Sequence, residues 1–347
     1  MMASLLEHIE RKYLAENRIY AVLMELTERC PADCVHCYLI RDPVNELTLA
    51  EVCDILAQLR AEGVFNLSLS GGDPLMRPDI GEILAECRRH RFFTSLLTSG
   101  LPVTEKLADL IAEHAVGTVE MSLLGDRAET HDAVMRHPGA FQRLELATRR
   151  LRERGVQVVL KTTMLAPNKD QLTGMAALAE RWDALFNASV SLAPRCDGDH
   201  QPLQLGLTAD DIAVLDPRPL SAGLIPGEDY SEGGLITCRA GITVAAVSAV
   251  GDVMPCVMWP AKVGSLRERS LQEIWHDDPD PFLLEIRSIM ASEVAECYAC
   301  EMRVHCRRCP GAAWLETGTL RKAAPSDCQV AEGLARSVAR FKKERGD

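Results

Sequence analysis

Apolar positions along the chain switch repeatedly between a period near 3.6 and a period of 2, and the switches predict the elements. Residues 4–16 read as a short amphipathic helix with Leu5, Leu6, Ile9 and Tyr13 on one side, leading into an apolar run, Tyr20 to Met24, that reads as a first strand. Thr48 and Glu51 form a capping box. It opens a helix whose apolar residues Leu49, Val52, Cys53, Leu56 and Leu59 repeat at helical spacing, before Gly63 stops it. Strands at 65–70, 93–97, 118–123, 156–163 and 188–193 then alternate with helices at 78–90, 105–114, 141–154 and 170–182. Crossovers of that length force the strands parallel and the connections right-handed. The fold class expected is therefore α/β, a partial (β/α)6 TIM-like barrel whose chemistry lies at the carboxyl ends of its strands.

Beyond the sixth strand the periodicity fades. Residues 194–232 are rich in Pro, Gly and Asp and read as a bridge with one short helix at 208–215. A hairpin follows, its arms at 242–247 and 252–254, then a small cysteine-rich region and a final helix at 330–343. The division expected is an N-terminal helix (1–17), a barrel (18–195), a bridge (196–236), an auxiliary domain (237–329) and a C-terminal helix (330–347).

Composition narrows the class. The chain has 347 residues, long enough for one large α/β domain and a smaller one. Few aromatics and many aliphatics suit a barrel interior filled by Val, Ile and Leu. No run of eighteen apolar residues occurs, and Glu7, Glu10, Arg11 and Lys12 rule out the apolar core of a signal peptide, so a cytoplasmic protein without a membrane span is expected. Thirteen cysteines in such a chain point to metal ligation instead of disulfides. A net charge of -12 disfavours general nucleic-acid binding. Arg149, Arg150, Arg152 and Arg154 have acidic neighbours on their helix and read as a solvated face. Cys53 and Cys87 share the apolar stripes of their helices and read as core residues.

Three cysteines fall within eight residues, Cys30, Cys34 and Cys37, as C-x3-C-x2-C directly after the first strand. A 4Fe-4S cube normally takes four thiolates, so a loop supplying three leaves one iron open to a small molecule. A zinc knuckle is the alternative; it needs a fourth ligand, and His36, beside Cys37, is badly placed to supply it.

At these residues the chain resembles the radical S-adenosylmethionine (SAM) superfamily, defined by C-x3-C-x-aromatic-C after the first barrel strand, with His36 at the aromatic position. The resemblance implies that SAM chelates the open iron and is split by an electron to a 5'-deoxyadenosyl radical, the cofactor supplying the chemistry and the protein aiming it. It also implies cofactor contacts. Gly71, Gly72, Asp73 and Pro74 stand where the superfamily holds the SAM amino group, with Asp73 in place of the commoner glutamate. Thr98-Ser99-Gly100 stands at the place of Thr-Asn-Gly. Ser122 matches the serine of Ser-Leu-Asp-Gly, although this chain reads Ser122-Leu123-Leu124-Gly125, and Lys161 on strand five could face the SAM carboxylate or serve as an unliganded rim lysine. His131-Asp132 and Pro138 to Phe141 complete the pattern.

The C-terminal cysteines, Cys238, Cys256, Cys297, Cys300, Cys306, Cys309 and Cys328, exceed any packing explanation. They resemble the SPASM domain, an auxiliary-cluster module of radical SAM enzymes acting on peptides and proteins, except that two residues instead of three separate Cys306 from Cys309. The resemblance implies two auxiliary iron-sulfur clusters. Cys297, Cys300, Cys306 and Cys328 would hold the outer one. Cys238, Cys256 and Cys309 would hold the inner one, its fourth position open or filled by Cys196. One or two zinc sites are the alternative for this region.

The function expected is radical modification of a ribosomally made peptide or a protein, closing a thioether or carbon-carbon link. The partners expected are that substrate, a separate peptide-recognition protein and an external electron donor of the flavodoxin or ferredoxin type. The residues before strand one are too few to bury a recognition domain. Rival readings are an anaerobic sulfatase maturase, disfavoured by Val257 where those enzymes carry aspartate after the cysteine of G-x4-C, a haem or other small-cofactor maturase, and a non-catalytic metal-stabilised carrier or binding protein.

Overall fold

A computed structural model describes residues 11–40, 44–220, 238–306 and 308–345. Most of the expected N-terminal helix and the second half of the bridge lie outside them; residues 11–15 are helical. The elements that position the site are β1 (Ala21–Thr27), α1 (Leu49–Glu62), β2 (Asn66–Gly71), α2 (Ile80–Arg89), β3 (Phe93–Thr98), α3 (Glu105–Glu113), β4 (Thr118–Ser122), α4 (Ala128–Met135), α5 (Ala140–Arg152), β5 (Val158–Thr163), α6 (Leu172–Arg181) and β6 (Leu185–Ser189). Strands β1 to β6 pair in sequence order and in parallel, as the crossovers require.

Strand alternation sorts the two faces of this sheet. Val22, Met24, Leu67, Leu69, Leu96, Val119, Val158 and Leu160 are at most 2% exposed and pack under the helices. The opposite face carries Ser70, Ser99, Glu120, Ser122, Lys161, Thr163, Asn187 and Ser189, all lining one cavity. The barrel interior thus mixes these polar side chains with apolar ones such as Leu97, Leu124 and Met135 at its upper end, contrary to the expectation of an interior filled by Val, Ile and Leu; most of the strand aliphatics serve the sheet–helix layer. The helix α1 begins as its sequence dictates, with Thr48 and Glu51 capping reciprocally and Gly63 closing it at φ 100°. Of the two helical cysteines, Cys87 is buried in the core, but Cys53 is only partly covered, beside Glu86 and Arg89, and Ile55 takes the core position instead.

After α7 (Ala209–Ala213) come β7 (Val244–Val247), β8 (Asp252–Met254) and β9 (Gly264–Ser265). The hairpin predicted at 242–254 forms, yet it does not stand apart: β7 pairs in parallel with β1, extending the sheet to nine strands in the order β6-β5-β4-β3-β2-β1-β7-β8-β9. The C-terminal region is further fixed to α1, since Arg267 meets Glu51 at 2.8 Å and Leu271 N donates to Gln58 at 2.7 Å. Its remaining helices are α8 (Pro281–Ser288), α9 (Ala295–Tyr298), α10 (Pro310–Thr317) and α11 (Pro325–Arg345). Helix α11 begins earlier than predicted, includes Cys328 and lies along α7, where Ser337 Oγ donates to Leu215 O at 2.8 Å. No helix among the described residues is long and apolar enough to cross a membrane.

Candidate functional site

The first cysteine loop leaves the carboxyl end of β1 and is held by backbone and side-chain bonds on three sides. Asp33 N and Val35 N donate to the last carbonyls of α4, Met135 O at 3.1 Å and Val134 O at 3.0 Å. The buried Arg77 guanidinium, paired with Asp79, donates to Leu26 O at 3.0 Å and Leu47 O at 2.8 Å, tying the end of β1 to the start of α1. Cys37 N donates to Cys34 O at 3.1 Å. Cys30, Cys34, His36 and Cys37 consequently line the mouth of a cavity of about 430 Å3 at the carboxyl ends of the strands, together with Gly71, Gly72, Ser99, Ser122 and Lys161. The sequence-predicted cofactor residues other than Asp73 and Pro74 share this one cavity. No disulfide joins any of the thirteen cysteines.

Glycine is required at the turn after β2. A Cβ on Gly71, at φ 121°, would stand 2.2 Å from Thr27 O, and one on Gly72 would stand 2.4 Å from Arg29 O. Asp73 is fully buried and faces inward: Thr98 Oγ1 donates to both its oxygens at 2.9 Å, Ser99 donates through N at 2.9 Å and Oγ at 2.6 Å, and Leu75 N donates at 3.1 Å. Its carboxylate thereby locks the β2 turn to the end of β3, and the Gly71-Gly72 backbone and Ser99 are what that lock presents to the cavity. Burial pushes the Asp73 carboxyl up, against the pull of its donors. Pro74 is buried and opens a short 3-10 turn. Lys161 pairs with Glu120 at 2.7 Å, both on the cavity wall. Burial lowers His36 to about 4, so its ring is neutral near pH 7, and its Nδ1 is buried without a partner beside Cys37.

His131 and Asp132 serve the scaffold. Leu124 N donates to His131 Nδ1 at 3.1 Å, and Asp132 accepts from Gly139 N at 2.6 Å and Phe141 N at 2.9 Å. The arginines on and just beyond α5 pair with acids on neighbouring elements, Arg150 and Arg154 with Glu105 and Arg152 with Asp183.

Four site residues escaped the motif reading. Glu25, on β1, is 7% exposed and accepts from Tyr38 Oη at 2.9 Å; burial raises its carboxyl to about 7. Tyr38 itself lines the cavity next to Cys37. A charge inside an otherwise apolar strand was the available signal. Glu120 and Asn187 could have been found from period-2 alternation with Ser122 and Ser189.

The C-terminal cysteines divide into two groups. Cys297, Cys300, Cys306 and Cys328 line a mostly apolar cavity of about 180 Å3, about a dozen times the space one water needs. Cys238, Cys256 and Cys309 form the second group, the Cys309 thiol feeling both others, and Ala312 N donates to Cys309 Sγ at 3.4 Å. Met258, two residues past Cys256, reaches the main cavity. Cys196 is elsewhere: its N donates to Tyr38 O at 2.9 Å, and its thiol feels Glu25 and Cys37. Burial pushes the Cys306 and Cys309 thiols up to about 12, so a bound metal must supply the charge that makes them thiolates. Among the described residues no three His, Cys, Asp or Glu side chains converge tightly enough to chelate a single ion. The donor sets suit iron-sulfur clusters: three thiols on the wall of the main cavity, and four around a separate cavity of their own.

Comparison with known proteins agrees with this geometry. Residues 24–179 match the radical SAM superfamily, and residues 238–310 match SPASM, an iron-sulfur cluster-binding domain. The chain is 27% identical over 329 residues to AdoMet-dependent heme synthase of Methanosarcina barkeri, covering 86% of this chain and 93% of that protein. It is 32% identical over 248 residues to mycofactocin maturase MftC of Mycobacterium tuberculosis, covering 67% of this chain and 63% of that one. In fold it resembles the crystal structure of Streptococcus suis SuiB bound to precursor peptide SuiA, with TM-score 0.72 at 18% identity over 95% of this chain and 82% of that one.

Proposed function

Because this chain is a radical SAM enzyme with a C-terminal SPASM domain, we propose that it modifies a side chain of a ribosomally made peptide or a protein, closing a thioether or carbon-carbon link. The observation that carries the reading is the lining of the main cavity, which the barrel and the SPASM region share. Its wall joins the cysteine loop, the Gly71-Gly72 turn and Ser99 to Met258 of the SPASM region, so a side chain brought in from outside would meet both. SuiB, whose fold this chain shares, is known with a precursor peptide bound. The haem synthase among the relatives keeps the small-cofactor reading as the rival.

Cys30, Cys34 and Cys37 would hold the cluster at the cavity mouth. When bound with SAM, that cluster supplies the electron that splits the sulfonium to a 5'-deoxyadenosyl radical. The chain's own residues do the rest. The Gly71-Gly72 backbone, fixed by Asp73, offers its polar groups to the SAM amino group. Ser99 and Ser122 are placed for the ribose or carboxylate, and Lys161, neutralised by Glu120, marks the far wall. Cys297, Cys300, Cys306 and Cys328 would hold one auxiliary cluster. Cys238, Cys256 and Cys309 would hold another with an open position, and Met258 links that second group to the cavity. Because Cys196 sits at the first loop, it is not needed as a fourth ligand there. The partners proposed are the peptide, a separate recognition protein and a flavodoxin- or ferredoxin-type donor.

The test is turnover of the anaerobically reconstituted enzyme with SAM and a strong reductant, offered either a small cysteine-bearing peptide from a neighbouring gene or a tetrapyrrole. Peptide that loses a pair of hydrogens, with 5'-deoxyadenosine formed, supports the reading. Turnover of the tetrapyrrole alone transfers the enzyme to the rival class.

A further inference from the structure

Arg308 is a buried cation whose hydrogen-bonding capacity is mostly unused. It stands between Cys306 and Cys309 and is 5% exposed. Its Nη2 donates to Leu320 O and, at 3.0 Å, to Lys322 O, while Nε and Nη1 are buried without a partner. A buried donor left unmade is costly, more so when charged, so two on one guanidinium call for an acceptor. Asp327, the nearby carboxylate, is engaged by Cys309 N at 2.7 Å. The guanidinium instead faces the cavity bounded by Cys297, Cys300, Cys306 and Cys328. It lies against the Cys297 thiol, which accepts from it and feels its charge, and its field also reaches Cys238 of the inner group.

Resting on the reading that those four cysteines hold an iron-sulfur cluster, we propose that the unmade N–H donors of Arg308 belong to that cluster's sulfur atoms, and that Arg308 makes the outer cluster easier to reduce. A cubane with four thiolates is anionic and gains a further negative charge on reduction. A fixed cation and N–H donors in a cavity of low polarity favour the more negative form. The carbonyls of Leu320 and Lys322 hold one edge of the guanidinium, which leaves the other edge aimed at the cavity. Arg308 is thus a positioning residue that sets a potential, and its reach toward Cys238 places it between the two auxiliary groups.

The test is a redox titration followed by electron paramagnetic resonance on the anaerobically reconstituted full chain, with iron counted in parallel. The proteins compared are the wild type, Arg308→Met, Arg308→Lys, and Cys306→Ala with Cys328→Ala. The outer signal is the one lost in the double cysteine variant. In Arg308→Met that signal should keep its iron and shift to a more negative midpoint, with Arg308→Lys between the two. Iron lost from Arg308→Met but kept in Arg308→Lys also places the cation against the cluster. Full iron at an unchanged midpoint in Arg308→Met overturns the proposal. Iron undiminished in the double cysteine variant, or redox-silent zinc at that site, overturns the cluster reading and this inference with it, and is told apart by the metal count alone.

Discussion

The two cysteine regions are built on opposite principles. The first hangs on a finished scaffold: its loop leaves a parallel strand and its backbone is tied to α4 and to Arg77 by bonds that involve no thiol. The outer group of the second has little regular structure around it. Cys297 sits on a four-residue helix, Cys300 and Cys306 flank a 3-10 turn over Glu301–His305, Cys328 lies at the start of α11, and the cavity they surround is mostly apolar. On the proposed reading, a cluster in the first region would fit into a fold already made, and one in the outer group of the second would be part of what folds it, as in other small metal-dependent modules.

The strongest way to break this comparison is to remove the first set of ligands. Replacing Cys30, Cys34 and Cys37 together by Ala should bring 5'-deoxyadenosine formation to background while leaving the far-ultraviolet circular dichroism and melting temperature close to wild type. Chelating the iron should act the other way round. Amides of residues 295–306 should then exchange about a hundredfold faster by hydrogen exchange, while those of β1 to β5 keep their protection. Equal loosening of both regions would erase the distinction.

Smaller effects sharpen it. Gly71→Ala forces a Cβ against Thr27 O at 2.2 Å. It should weaken SAM binding about tenfold in calorimetry, ~1.4 kcal/mol, and cost about 1–3 kcal/mol of stability from backbone strain. Glu25 gives a pH signature for the first region. Its folded pKa of about 7 lies above the ordinary 4.5, so the folded state holds the extra proton. That contribution is complete below about pH 4.5 and is lost as pH rises through 7, an effect of at most about 3 kcal/mol. Glu25→Gln should flatten the urea midpoint between pH 5 and 8 and stabilise the alkaline end; an unchanged slope would show that Glu25 does not carry it.

Much of this was legible in the chain because parallel strands buried under helices write a strong apolar signal. Strands β1 to β5 fall within a few residues of their predicted places. Strand β6 begins three residues earlier than predicted, since Asn187 and Ser189 face the polar cavity and break the apolar pattern. Helix α4 was missed because its buried residues His131, Val134 and Met135 fall late in only eight residues. The cysteine spacings and the family resemblance singled out the two regions, and the structure gathers Cys30, Cys34 and Cys37 on one cavity and Cys297, Cys300, Cys306 and Cys328 on another. Spacing could not say that Cys196 belongs beside Tyr38, that Asp73 turns away from the cavity, or that Arg308 is buried with two of its three nitrogens unpartnered. Those depend on which side chains meet across the fold, and no local pattern encodes that.

The central claim, two cysteine regions holding iron-sulfur clusters by different means, is tested most directly by iron and acid-labile sulfide analysis of the anaerobically reconstituted protein beside the Cys30, Cys34 and Cys37 triple Ala variant. The account predicts about twelve irons falling to about eight, three cubanes becoming two. Zinc in place of iron, or no loss in the variant, would contradict it and make the first loop a structural feature only.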